Sequence, residues 1–115
     1  MAYNVELEKR IDLALIIFPE TIRDQIVSKK MFGGIAYLYR GKMTVGVVQD
    51  DLMVRVVNEK MSEILTRDEV RPMDFTNRPM KEFIYVSPNG FKSEEQLMFW
   101  IELGLEHAKR KLNQA

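Results

Sequence analysis

Apolar residues recur near the start of the chain at Leu7, Ile11, Ala14, Leu15 and Phe18, the three- and four-residue spacing that gathers side chains on one side of a helix. Asn4 stands in N-cap position ahead of that stripe. Pro19 interrupts it, and "PETIRDQIV" predicts a short second helical piece with proline in its first turn and Ile22 and Ile26 one turn apart. The pattern then changes. "KKMFGGIAYLYRGKMTVGVVQDDLMVRVV" is dominated by β-branched and aromatic residues and broken at "RGK" and "QDD". Such breaks are too short for a parallel crossover, so three antiparallel strands are expected. "NEKMSEILTR" predicts a short helix capped by Asn58, with Met61, Ile64 and Leu65 on its apolar face. "RPMDF" and "MKEFIYV", separated by "TNRP", predict a second hairpin whose Pro72 and Pro79 belong at strand starts or outside the ladder. Ser93 with Gln96 forms a capping box for a long last helix carrying Leu97, Ile101, Leu105, Ala108 and Leu112. The expected fold is α+β in two layers, an antiparallel five-stranded sheet packed with helices in the order α-βββ-α-ββ-α, as one domain over residues 1–115.

Alternation assigns faces. Along "DLMVRVV", Leu52, Val54 and Val56 point one way and Met53, Arg55 and Val57 the other, and the first set reads as core. Tyr37, Tyr39, Phe83 and Tyr85 fall on one alternating set, which makes the second face of the sheet partly apolar as well. Methionine and aromatic residues punctuated by arginine suit a partner surface, unless helices or a curled sheet end already cover it.

These segments resemble a known family. "KKMFGGIAYLYRGKM", "LMVRV", "RPMDF" and "RPMKEFIYV" are similar, in the same order, to the motifs of the TfoX N-terminal-like domain, over roughly residues 1 to 110. The resemblance implies an antiparallel sheet with helices packed on it. It also implies kinship with regulators of natural competence that act with a transcription activator. Those regulators carry a second, C-terminal domain for which the chain has no residues left, so a competence role is not carried over. No catalytic residue comes with the resemblance.

Composition narrows the function classes. Lys plus Arg and Asp plus Glu both number 17, so no overall positive field draws the domain to nucleic acid, and direct nucleic-acid binding is not expected. With no cysteine there is no disulfide, thiol nucleophile or thiolate zinc site. The first ten residues lack a secretory h-region, and the longest apolar run, Leu13 to Phe18, is too short to cross a bilayer. The expected location is the cytoplasm, without a membrane partner.

Individual motifs carry little chemistry. The glycine pair of "MFGG" lacks the spacing of a phosphate loop and is expected to mark a bulge or close packing within a strand. Arg71 and Arg78 of the doubled "RPM" lie about 16 Å apart along the hairpin, too far to grip one small anion together. His107, in "EHAKRK", reads as a surface residue suited to the helix dipole, "QDD" as a turn, and Trp100 as core. Arg55 and Lys81, with Lys30 or Arg71, would form a basic patch on the second face. The candidate binding face is therefore Gly33, Gly34, Met53, Arg55, Arg71 and Lys81. No catalytic, cofactor or metal residue is expected. The expected function is a non-enzymatic regulatory or protein-interaction domain that meets a protein partner or pairs with itself as a homodimer. The alternative is a small-molecule or anion-binding module built on that basic patch.

Overall fold

The computed structural model describes residues 3–31, 33–75 and 78–113, with the backbone alone for 74–75 and 78–81. The elements are α1 (Val5–Ile16), α2 (Glu20–Arg23), β1 (Ile26–Met31), β2 (Gly34–Tyr39), β3 (Lys42–Val48), β4 (Asp51–Arg55), α3 (Asn58–Ile64), β5 (Val70–Phe75), β6 (Arg78–Val86) and α4 (Glu94–Asn113). One antiparallel sheet runs in the order β1-β2-β3-β4-β6-β5.

The fold class stands, but the sheet has six strands rather than five, and the order is α-α-ββββ-α-ββ-α. The added strand is β1. Ile26 and Val27 leave the proline-led helical piece, which closes at Arg23, and start an edge strand. Gly33, at φ +74°, then turns the chain so that Met31 pairs with Gly34. Gly33 therefore turns a hairpin rather than bulging one strand, while Gly34 is the close-packed position expected, pressed against the β3 backbone. A single apolar pair one helical turn apart, Ile22 and Ile26, cannot tell a helix end from a strand start. The next hairpin turns through Arg40 and Gly41, both at positive φ, the pair of conformations that a two-residue type I′ loop requires.

Local chemistry places the helices. The Asn4 side chain accepts from the Leu7 amide at 3.1 Å, while the Asn4 amide donates to the Gln49 carbonyl and ties α1 to the β3–β4 turn. Ser93 and Gln96 make the reciprocal capping box: the Gln96 amide donates to Ser93 Oγ at 3.1 Å and the Ser93 amide to Gln96 Oε1 at 3.0 Å. Asn58 does not cap α3. Val57 holds the N-cap position and Asn58 is already the first helical residue. Pro72 is tolerated because β5 is an edge strand, and Pro79 because it precedes the part of β6 that pairs with β4.

The helices cover one face. Leu7, Ile11 and Ala14 of α1 and Leu97, Trp100, Ile101 and Leu105 of α4 bury against Val45, Val47, Leu52, Val54, Val56, Ile84 and Val86. The α4 backbone comes close enough to β3 that a Cβ on Gly104 would lie 2.5 Å from the Thr44 carbonyl oxygen. The four aromatic residues placed on one set are split by the register. Tyr37 and Tyr39 lie under the helices, Phe83 and Tyr85 on the opposite face. Alternation fixes phase within a strand; pairing alone fixes it between strands.

Candidate functional site

The second face of the sheet holds a smaller cluster of Ala36, Met53 and Met73, bordered by Met31, Leu38, Met43, Val48, Phe83 and Tyr85. No helical residue joins it among the described residues. Even so, its centre is closed, since Ala36, Met53 and Met73 are each only 1% exposed. One row of paired residues crosses all six strands: Lys29, Ala36, Gly46, Met53, Tyr85 and Arg71. A Cβ on Gly46 would sit 2.8 Å from the Met53 methyl, so the thioether lies over that glycine. The flexible side chain of methionine fills the trough left by two small neighbours.

The six sequence-selected residues do not form one bare basic patch. Met53, Arg55 and Arg71 are on or beside this face, but both arginines are engaged. Arg55 donates from Nε at 3.0 Å and from Nη2 at 2.7 Å to Glu82 Oε1, with its guanidinium over the Phe83 ring. Arg71 pairs with Asp51 and lies over Tyr85. Gly33 and Gly34 stand apart at the β1–β2 turn, beside a cleft shared with Tyr3, Lys30 and Met31. Gly34 is needed for packing, since a Cβ there would meet the Val47 carbonyl oxygen at 1.9 Å. The side chains of Lys81 and Arg78 lie outside the described residues.

A charged cluster that the sequence did not reveal centres on Glu82. Besides Arg55 it approaches His107 Nε2 and Lys111 Nζ, each at 3.5 Å, at the edge of a cleft of ≈ 140 Å³ also lined by Val57, Asn58, Glu59 and Arg110. His107 is not the surface residue expected: it is 5% exposed, and its Nδ1 has no hydrogen-bond partner. Its place on α4 sets it beside the Glu82 side chain of β6, where burial, helped by the Arg55 charge, holds its imidazole below the usual value despite Glu82. Burial pushes the Glu82 carboxyl up, but Arg55, His107 and Lys111 outweigh it and leave the group below the usual range. The described residues contain no group of three or more His, Asp and Glu side chains placed to hold a metal ion.

Among the described residues, most of the exposed large apolar side chains are on α1 and its C-cap. Its core stripe faces the sheet, yet Val5, Leu13, Ile16 and Ile17 project from the other side, with Leu13 64% and Ile17 76% exposed. Leu13, Ala14 and Ile17 line a cleft of ≈ 360 Å³ whose opposite wall is Met98 of α4, with Glu94 and Glu95 at its end. In the sequence, Leu13, Ile16 and Ile17 enter only as part of the Leu13–Phe18 run weighed as a membrane span, and no helix among the described residues is long and apolar enough to be one. The missed signal was a second apolar stripe on the same helix, at positions 5, 13, 16 and 17.

A family model, the TfoX N-terminal domain, matches residues 21–108. The matched segment begins after α1 and takes in the whole sheet and most of α4. No curated protein matches the chain.

Proposed function

The chain belongs to the TfoX N-terminal domain family, and from that premise we propose that it is a cytoplasmic, non-enzymatic regulatory domain that acts by protein contact through the outer face of α1. The observation that carries this reading is the exposure of Leu13, Ile16 and Ile17 above a cleft that already has an apolar wall. An aliphatic side chain gains roughly 1.5–3 kcal/mol on full burial, and three clustered on one helix are more than scattered surface residues require. The second sheet face is the weaker docking candidate, because its central side chains are already sealed. Anion binding is supported less still, because an anion at Arg55 would have to displace Glu82 from two hydrogen bonds.

The test is genetic. In the native host, RNA profiles are compared between a deletion of this chain, an Ile17→Glu replacement and a His107→Gln replacement. Ile17→Glu, expressed at the normal level, is expected to reproduce the deletion profile, whereas His107→Gln leaves it like the wild type. A wild-type profile in the Ile17→Glu strain would refute contact through this face.

A further inference from the structure

We infer that the seam between the first turn of α3 and the last turns of α4 is an acid-sensitive latch, which opens when His107 takes up a proton. The latch is independent of contact through α1.

His107 sits where three elements meet. The cleft it lines is walled by Val57, Asn58 and Glu59 at the start of α3, by Glu82 of β6, and by Arg110 and Lys111 of α4. Nε2 lies 3.5 Å from the Glu82 carboxylate, which keeps the proton of the neutral ring on that nitrogen. Nδ1 is then a bare acceptor, buried and without a partner. An added proton has to go to Nδ1, where it meets neither an acceptor nor water, and a buried charge costs more than an orphan acceptor does. The surrounding charges do not favour it either. Arg55 of β4, with Arg110 and Lys111 of α4, sets three cations around the ring against the two anions Glu82 and Glu59.

The seam is the part that yields. Before α3, the Val56 amide donates to the Glu82 carbonyl at 2.8 Å and ties the chain to β6; at the far end of the helix, Ile64 is buried. Between these anchors Asn58, Glu59 and Lys60 are exposed. Among the described residues, the polar links of this turn to α4 are two ion pairs, Glu59 with Arg110 and Lys60 with Glu106. Exposed pairs of this kind hold weakly. Parting them admits water to Nδ1 and uncovers Val57, which is 3% exposed in the shut form. The carboxylates do not compete for the proton. A backbone hydrogen bond and Arg110 hold Glu59 below the usual range, and the surrounding cations hold Glu82 there despite its burial. The open imidazole has the ordinary value of 6.5 and the shut one lies lower, so acid favours opening from 6.5 down to the shut value, by up to about tenfold per pH unit.

Two measurements on the full chain test the latch. His107 is the single histidine, so NMR of its imidazole reads its protonation directly, and titration below 6.5 is expected. The chain has no cysteine, so Val57→Cys reports opening by its rate of reaction with a dithiodipyridine, taken as a ratio to the exposed Ser62→Cys at the same pH to cancel thiol chemistry. From about pH 7.5 to about pH 5.5 that ratio should rise about 5- to 10-fold. Adding His107→Gln, or His107→Leu, which leaves no buried nitrogen to satisfy, should abolish the rise. Adding Glu106→Gln, which parts one ion pair, should raise the ratio about 2- to 5-fold at both pH values. An imidazole titrating at or above 6.5, a ratio indifferent to pH or to Glu106→Gln, or a rise that persists in both His107 variants overturns the inference. So does an equal rise at Val45→Cys in the sheet core, which would mean that acid unfolds the whole chain instead of opening the seam.

Discussion

Met53→Ala tests whether the second face of the sheet is a closed surface or an open one. Met53 is 1% exposed in the central strand β4, packed over Gly46 and bordered by half-buried neighbours, although no described helix lies above it. If those neighbours seal it, truncation removes a fully buried side chain and leaves a void. The loss should then be about 2–4 kcal/mol, the usual range for such changes in a core. If the face is open, water fills the gap and the loss stays under about 1 kcal/mol. Domains of this size have roughly 5–15 kcal/mol in total, so the first outcome lowers the melting temperature by about 10–15 °C. Urea denaturation followed by circular dichroism provides the measurement. Val54→Ala, which deletes a wholly buried side chain on the helix-covered face, is the reference, and Met43→Ala at the half-buried border is the contrast. The expected order is a Met53 loss at least as large as that of Val54 and clearly above that of Met43. A Met53→Ala variant within about 1 kcal/mol of the wild type would refute the closed face and return it to candidacy as a docking surface.

Three further outcomes follow from the same geometry. His107 is held below its ordinary value of 6.5, so the unfolded chain takes up the proton first. Stability should therefore fall as pH drops from 6.5 toward the folded value, and His107→Gln should flatten that part of a melting-temperature profile; an unchanged slope would clear the residue of the effect. Gly104→Ala should destabilise by roughly 1–3 kcal/mol in chemical denaturation, although helix propensity alone predicts a gain of about 1, because the new methyl meets the Thr44 carbonyl at 2.5 Å. Stabilisation would mean that α4 does not press on β3 there. Trp100→Phe removes the indole N–H that donates to the Gly90 carbonyl at 2.8 Å, and should lower stability by about 1–3 kcal/mol in the same assay, with little change if water reaches that oxygen.

What the sequence disclosed and what it hid divide along physical lines. Features governed by near neighbours were legible: the Asn4 cap, the Ser93 and Gln96 capping box, the core phase of Leu52, Val54 and Val56, and the short connections that force antiparallel pairing. The sixth strand was missed because Ile26 fits a helical turn as well as a strand start, and only the Gly33 turn decides it. The fate of Arg55 was out of reach, since its carboxylate partner comes 27 residues later and from another strand. His107 was hidden in the same way. On a helical wheel it borders Arg110 and Lys111, and nothing local shows that it is buried beside Glu82.

The α1 surface is a different kind of omission, because its signal was present in the sequence throughout. A helix lying on one sheet needs a single apolar stripe, and Leu7, Ile11 and Ala14 provide it. Leu13, Ile16 and Ile17 add nothing to that contact; they point away from the sheet and leave apolar area in water. Burial against the described part of the chain does not account for them, whereas the contact proposed above would. The family match starts at residue 21, beyond α1, so the matched part accounts for the sheet but not for this stripe. The family-matched framework and the exposed stripe thus lie in different segments of the chain. Substitutions on the outer face of α1 should therefore alter association while leaving denaturation midpoints within about 0.5 kcal/mol of the wild type under monomeric conditions. A large loss of monomer stability from Ile17→Glu would show that the stripe serves the fold after all.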